Sequence, residues 1–281
     1  MVLYDAKASK QLDAAVLKTG IHEVLLMMRA ASSIFNVVEN LTKVNRVISI
    51  AGPGSNGGDA YGVAILSAIA GKSTKIYSIS EVSGESKKIA DFCGELGVVK
   101  LKSLPEPSEI SSDDVIIDGL FGTGLNRPPT GSSADAIDWM NLSRRNGAKV
   151  IAIDVPSGLN ASNGSTLGVA VKADFTVMCL SSKQGCYTDK APDLCGKLLF
   201  ANLGIEKPEN YTDPTAFLMD GPNYGVMNRP RVGHKGSYGN VLVIGGWPPM
   251  QGGGRHSRFS SFKSWSRQSI CLRSFLPRMS S

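Results

Sequence analysis

The sequence predicts a doubly wound, Rossmann-like α/β domain: an open parallel sheet with helices on both faces. Short runs rich in Val and Ile recur between residues 44 and 202, separated by helix-like patterns. Such alternation implies right-handed crossovers, which cover a parallel sheet on both sides. Three polar segments each follow an apolar strand: 52–59 (GPGSNGGD), 118–125 (DGLFGTGL) and 154–158 (DVPSG). In open parallel sheets, ligands bind beyond the carboxyl ends of the strands, where strand order reverses. The three segments are therefore expected to outline one crevice.

The elements follow in order. Leu12, Val16, Ile21, Val24, Leu25, Met28 and Ile34 recur at helical intervals, predicting helix over 9–40 with a break near Gly20. Val44–Ile50 is expected to be a strand and Asp59–Ala70 an apolar helix. Strand Lys75–Ile79, helix Ser86–Leu96 and a short strand Val98–Leu101 come next. Val115–Ile117 and Lys149–Ile153 are strands, with helix Ala134–Arg145 between them. Phe175–Leu180, Leu198–Asn202 and Ala216–Met219 are further candidate strands.

Residues 1–210 are expected to form this domain. Residues 211–232, rich in Pro, Asn, Asp and Gly, read as a linker. Residues 233–246, with a strand at Val241–Ile244, look like the start of a second domain that is not continued. From 247 onward the chain is rich in Ser, Arg, Gly and Pro, with six basic residues and no Asp or Glu. Residues 247–281 are expected to be a disordered, aberrant tail, such as a shifted reading frame would encode.

The formal charge of +6 resides in that tail, so residues 1–246 are neutral and no nucleic-acid surface is expected. Five cysteines lack any C-x-x-C pair and the three histidines are scattered, which fits free thiols and argues against zinc. No apolar run reaches the roughly 20 residues of a membrane helix. Met1–Lys7 does not resemble a secretory signal. A cytoplasmic protein without membrane contact is expected.

Gly52, Gly54 and Gly57 fit G-x-G-x-x-G, and Glu81 lies where a ribose-binding acid would. An ordinary NAD-dependent oxidoreductase is thus one alternative. Against it, Asp59 is expected in the first turn of the next helix, where it would repel a pyrophosphate but suit neutral hydroxyls; it could also be a plain helix cap. Asp118 precedes Gly122-Thr123-Gly124, whose unhindered amides could cradle an anion, with Arg127 adding charge. Asp154, expected in extended backbone beside Pro156, is placed for general acid/base work or for a simple turn. Ser157 has no His at a triad spacing, so a Ser-His hydrolase is rejected. Asn56, Asp118 and Ser157 offer hard oxygen donors with a single charge between them, a set suited to a monovalent cation. Lys183 either faces the crevice or is solvated; Cys186 and Phe121 read as packing residues.

On these residues the chain resembles the NAD(P)H-hydrate epimerase family, of the YjeF N-terminal domain type. The likeness spans about Ala6 to Ile205. The family's N-N-G-G-D reads here as Ser55 to Asp59, its D-x-L-F-G-T-G-L as Asp118 to Leu125, and its D-[IV]-P-S-G as Asp154 to Gly158. Ala173 to Val177, Lys183-Gln184-Gly185 and Leu203-Gly204-Ile205 also follow the family pattern. The resemblance implies epimerisation of the R and S forms of hydrated NADH and NADPH, so that a partner dehydratase can act. It implies a homodimer with one potassium ion per subunit, held by Asn56, Asp118 and Ser157. Substrate-binding positions carried over are Ser55, Asn56, Gly57, Gly58, Asp59, Gly122, Thr123, Gly124, Leu125, Asn126, Arg127, Pro128 and Asp154, with Asp154 as the acid/base. Ser55 stands where the family has Asn, and Leu25 to Ala31 departs from the family's L-M-E-N-A-G. Ser55 keeps open a catalytically silent dimerisation or RNA-associated scaffold, against which the intact Asn56, Asp59, Asp118 and Asp154 argue. His234 to Gly246 resembles the start of the ADP-dependent dehydratase domain, and dehydratase activity is not expected.

Overall fold

The computed structural model describes residues 1–205 and 208–219, together with the backbone of two further strands at 241–244 and 269–272. The chain divides into two compact units, Met1–Met219 and Asp220–Ser281.

The first unit is built on a seven-stranded, wholly parallel sheet. In chain order its elements are β1 (Val2–Leu3), α1 (Ala6–Lys18), α2 (Glu23–Glu39), β2 (Arg46–Ala51), α3 (Ser55–Ile69), β3 (Ser73–Ser78), α4 (Gly84–Glu95), β4 (Val99–Lys100), β5 (Asp114–Gly119), α5 (Ser132–Arg145), β6 (Lys149–Ile153), β7 (Phe175–Cys179), α6 (Ala191–Leu194), β8 (Lys197–Ala201) and β9 (Ala216–Phe217). The strand order is β4-β3-β2-β5-β6-β7-β8. From β2 the chain winds to one side through β3 and β4; β5 returns to the other flank of β2, and the chain continues outward to β8. Order therefore reverses between β2 and β5, where Ile50 lies opposite Asp118 and Ala51 opposite Gly119.

Side chains alternate across the pleat, so each central strand feeds two cores. Val47, Ala51, Ile117 and Ile153 pack against α2, α3 and α4 through Ala31, Ile34, Val63 and Ile89. Ile48, Ile50, Ile116, Val150 and Ala152 pack on the other face against Ala136, Ile137 and Met140 of α5. This double burial explains why the strands read as continuous apolar runs.

Helix α1 packs Leu12 and Val16 against Tyr4, Ala30, Leu180 and Leu203. Its N-terminus is capped by Asp5, whose Oδ1 accepts from the Ala8 amide at 2.7 Å. The segment before it is stitched to the sheet. The Tyr4 amide donates to the Ser182 carbonyl at 2.9 Å, and the Gln184 amide to the Tyr4 carbonyl at 2.8 Å. β1 pairs antiparallel with β9. The first unit thus runs to Met219, past the expected limit at 210, because Ala216 and Phe217 close on the N-terminal strand.

Two local expectations change. α3 begins at Ser55 behind Gly54, so Ser55 to Gly58 are its first turn rather than a loop, and Asp59 lies in the second turn, not at a cap. Asp154 is not extended: its φ is +69°. Its amide donates to the Val177 carbonyl at 2.8 Å and its Oδ1 accepts from the Cys179 amide at 3.1 Å, and the two bonds hold this sparsely populated conformation.

In the second unit the expected strand Val241–Ile244 (β10) pairs in parallel with Ser269–Leu272 (β11). The rest of the expected second-domain start and tail lies outside the described residues, as does most of the expected linker. Among the described residues, no helix is long and apolar enough to cross a membrane, and Cys93, Cys179, Cys186 and Cys195 are free thiols.

Candidate active site

A cavity of about 710 Å³ opens at the carboxyl ends of the central strands. Its walls come from α1 (Lys10, Asp13, Leu17), α2 (Glu23, Leu26, Met27, Ala30), the start of α3 (Ser55, Asn56, Asp59), the turn after β5 (Leu120 to Arg127), and Asp154, Cys179, Leu180 and Lys183. Ser55, Asn56, Asp59, Gly122, Thr123, Gly124, Leu125, Asn126, Arg127 and Asp154 thus share one hollow, whereas Asp118 and Ser157, expected in the same crevice, are not among its lining residues.

Gly57, Gly58 and Pro128 are not among the residues that line it. Gly57 lies over the Gly52 carbonyl, and a Cβ on Gly58 would stand 2.6 Å from Ser86 Oγ and 2.8 Å from Met27 Sδ. Both glycines permit α3 to close on its neighbours, which is a packing reason for their being glycine. Pro128 instead approaches Gly168.

Lys183 overturns the solvated alternative. It is 2 % exposed, ion-paired to Asp154 Oδ1, and donates to the Cys179 carbonyl at 2.6 Å. Burial disfavours its ammonium, but Asp154 and Asp13 outweigh burial and push its pKa up. Around this single cation stand three carboxylates. Burial raises the Asp59 pKa well above the usual carboxylate range, with Asp154 and Asp13 adding repulsion. Burial likewise lifts Asp13 to about 6; Lys183 pulls it down and Asp154 pushes it up. Burial and mutual repulsion thus disfavour the ionised forms of Asp59 and Asp13 at the floor of the cavity.

Behind the wall lies the second polar group. Asp118 is fully buried. Its Oδ1 accepts from Ser157 Oγ at 2.6 Å and from the Leu120 amide at 3.3 Å, while its Oδ2 accepts from the Ser157 amide at 2.8 Å. Ser157 Oγ in turn accepts from the Phe121 amide at 2.9 Å. Asn56 Nδ2 donates to the Ile153 carbonyl at 2.9 Å, which turns its Oδ1 toward Gly122. Burial raises Asp118 to about 6 against these hydrogen bonds, and no cationic side chain pairs with it among the described residues. Also among the described residues, no three His, Cys, Asp or Glu side chains group to hold a metal; an amide–hydroxyl–carboxylate set is of another kind.

Lys10, Asp13 and Cys179 were missed from sequence. A signal was present: Lys10, Asp13 and Leu17 recur at helical spacing and all reach the cavity. Glu81 is exposed and is not among the lining residues, which removes the ribose-binding acid of the oxidoreductase alternative.

Sheet and site together define an α/β domain with a cavity at the point where strand order reverses, the place where open parallel sheets bind ligands. The chain belongs to the family described as YjeF-related protein N-terminus, whose model matches residues 23–185. It is 34% identical over 252 residues to the bifunctional NAD(P)H-hydrate repair enzyme Nnr of Coxiella burnetii, covering 87% of this chain and 51% of that protein. It is also 34% identical over 187 residues to the NAD(P)H-hydrate epimerase of Limosilactobacillus fermentum, covering 65% of this chain and 87% of that one. The chain thus spans about half the length of the bifunctional relative and most of the epimerase. A crystal structure of yeast ynu0, YNL200c, superposes with a TM-score of 0.65 at 17% identity, covering 78% of this chain and 98% of that one, and shares its fold.

Proposed function

We propose that this chain interconverts the R and S epimers of hydrated NADH and NADPH, as an isomerase of cofactor repair. The observation that carries this reading is the convergence of Asp154, Asp59, Asp13 and Lys183 on one cavity walled by the Gly122 to Arg127 turn. It occurs in a chain 34% identical to a protein named NAD(P)H-hydrate epimerase and to one named a bifunctional NAD(P)H-hydrate repair enzyme.

The chemistry follows from the charges. A proton given to the ring hydroxyl lets it leave as water, and the ring nitrogen's electron pair leaves a planar cation. Water adding to the opposite face returns the proton and inverts the centre. A cation developing on the ring relieves the repulsion among Asp154, Asp59 and Asp13, so this floor favours it. Asp154 is the proton carrier in this reading: it faces the cavity, and Lys183 and the Cys179 amide hold its Oδ1 in place. Asp59, whose ionised form burial disfavours, is placed to hydrogen-bond a substrate hydroxyl.

Asn56, Asp118 and Ser157 would hold a potassium ion, one per subunit. A buried carboxylate without a cationic side chain, beside hydroxyl and amide oxygens, suits a hard monovalent ion. When bound, the ion supplies positive charge beneath the Gly122 turn. Replacing potassium with tetramethylammonium is expected to lower epimerisation at least tenfold and to lower the melting temperature, as loss of a native-state ligand does. A homodimer of cytoplasmic location completes the proposal; light scattering at twice 29.7 kDa tests the dimer. An epimer-resolved chromatographic assay on the purified chain tests the activity.

A further inference from the structure

The geometry points to Lys10 as the phosphate anchor of this cavity, holding the pyrophosphate of the dinucleotide against the Gly122 to Gly124 turn. This rests on the proposed substrate.

Helix α1 is a fixed wall. The Tyr4 stitch on Ser182 and Gln184, with buried Leu12 and Val16, sets its position, and Lys10 therefore faces the cavity by construction. α1 also precedes the stretch that the family model matches, residues 23–185. Three cations line the cavity: Lys10, Arg127 and Lys183. Lys183 is committed to Asp154. Lys10 has no ion-pair partner among the described residues, and its Nζ stands 3.7 Å from where a Cβ on Gly124 would lie. The ammonium thus lies beside the glycine turn, and Arg127, three residues beyond Gly124, lines the same cavity, a combination suited to an anion.

The alternative seat for a pyrophosphate is the start of α3, where early amides are unsatisfied. That end is acidic. Ser55 Oγ donates to Glu23 Oε1 at 3.4 Å, and Glu23 and Asp59 both line the cavity there. The cavity is thus polarised, with acids around the floor and α3, and cations at the Lys10 turn. An anionic tail binds at the second, leaving the ring over the first.

The test compares wild type, Lys10→Ala and Lys10→Arg on hydrated NADH, hydrated NADPH and hydrated reduced nicotinamide riboside, which has no phosphate. Lys7→Ala, on the same helix but outside the cavity, controls for lost basicity. The expected result is a roughly tenfold loss in kcat/KM for both dinucleotides in Lys10→Ala, carried by KM. The loss is much smaller for the riboside and largely restored by Lys10→Arg, and Lys7→Ala is unchanged. A loss equal on all three substrates would mean that Lys10 only supports the fold, and a loss confined to hydrated NADPH would place the 2′-phosphate there; either overturns the assignment. If wild type epimerises none of them, the substrate reading has failed separately. Calorimetry with ADP-ribose then decides: weaker binding to Lys10→Ala sustains the anchor, and equal binding removes it.

Discussion

Lys183 and Asp154 form a buried pair at the edge of a cavity, where neither charge is cheaply left alone. Removing one partner of a buried pair costs about 3 kcal/mol or more, whereas removing both is often near neutral. Lys183→Met is therefore expected to destabilise the fold strongly, and Lys183→Met with Asp154→Asn to recover most of that stability, read by urea denaturation, while neither variant epimerises. Asp59 carries the pH signature. Burial raises its folded pKa, so the native state holds a proton that the unfolded chain releases above about pH 4. Stability from this site is then present below that pH and falls as pH rises toward the folded pKa. Asp59→Asn should flatten the decline, making the variant more resistant to urea than wild type at pH 7 and alike at pH 4. Asp154 and Asp59 were legible in sequence because they follow strands in glycine-rich segments. Lys183 was not, since only the fold sets its Asp154 partner 29 positions away.

Among elements, α3 and α1 decide the site. α3 closes on β5 so tightly that a Cβ on Gly119 would stand 2.6 Å from both Ala60 Cβ and the Asn56 carbonyl oxygen. Gly119→Ala is expected to cost about 2 kcal/mol by overpacking and to lower the melting temperature by roughly 5 °C, seen by calorimetry. Strands and their order of alternation were readable because double burial writes them as Val/Ile runs. The first turn of α3 was not, since Gly57-Gly58 carries a strong loop signal; here contact with Gly52, Ser86 and Met27 overrides propensity. α1 was readable as a helix, but periodicity alone assigned its apolar stripe to the core and was silent on where Lys10 and Asp13 would face.

At the scale of the molecule, the reversal of strand order between β2 and β5 gathers residues from distant parts of the chain. That convergence was foreseeable from the alternation of strands and helices. The closure of β9 on β1 was less so, because a two-residue pair leaves almost no pattern. Since the first unit ends at Met219, a chain stopping there should keep the melting temperature and epimerisation rate of the whole protein. The most direct measurement starts from one purified epimer of hydrated NADPH and follows its conversion by chromatography, with wild type and Asp154→Ala side by side in potassium. The account predicts rapid approach to the equilibrium mixture with wild type, and only the uncatalysed rate with a folded Asp154→Ala. Equal rates in the two proteins would contradict it.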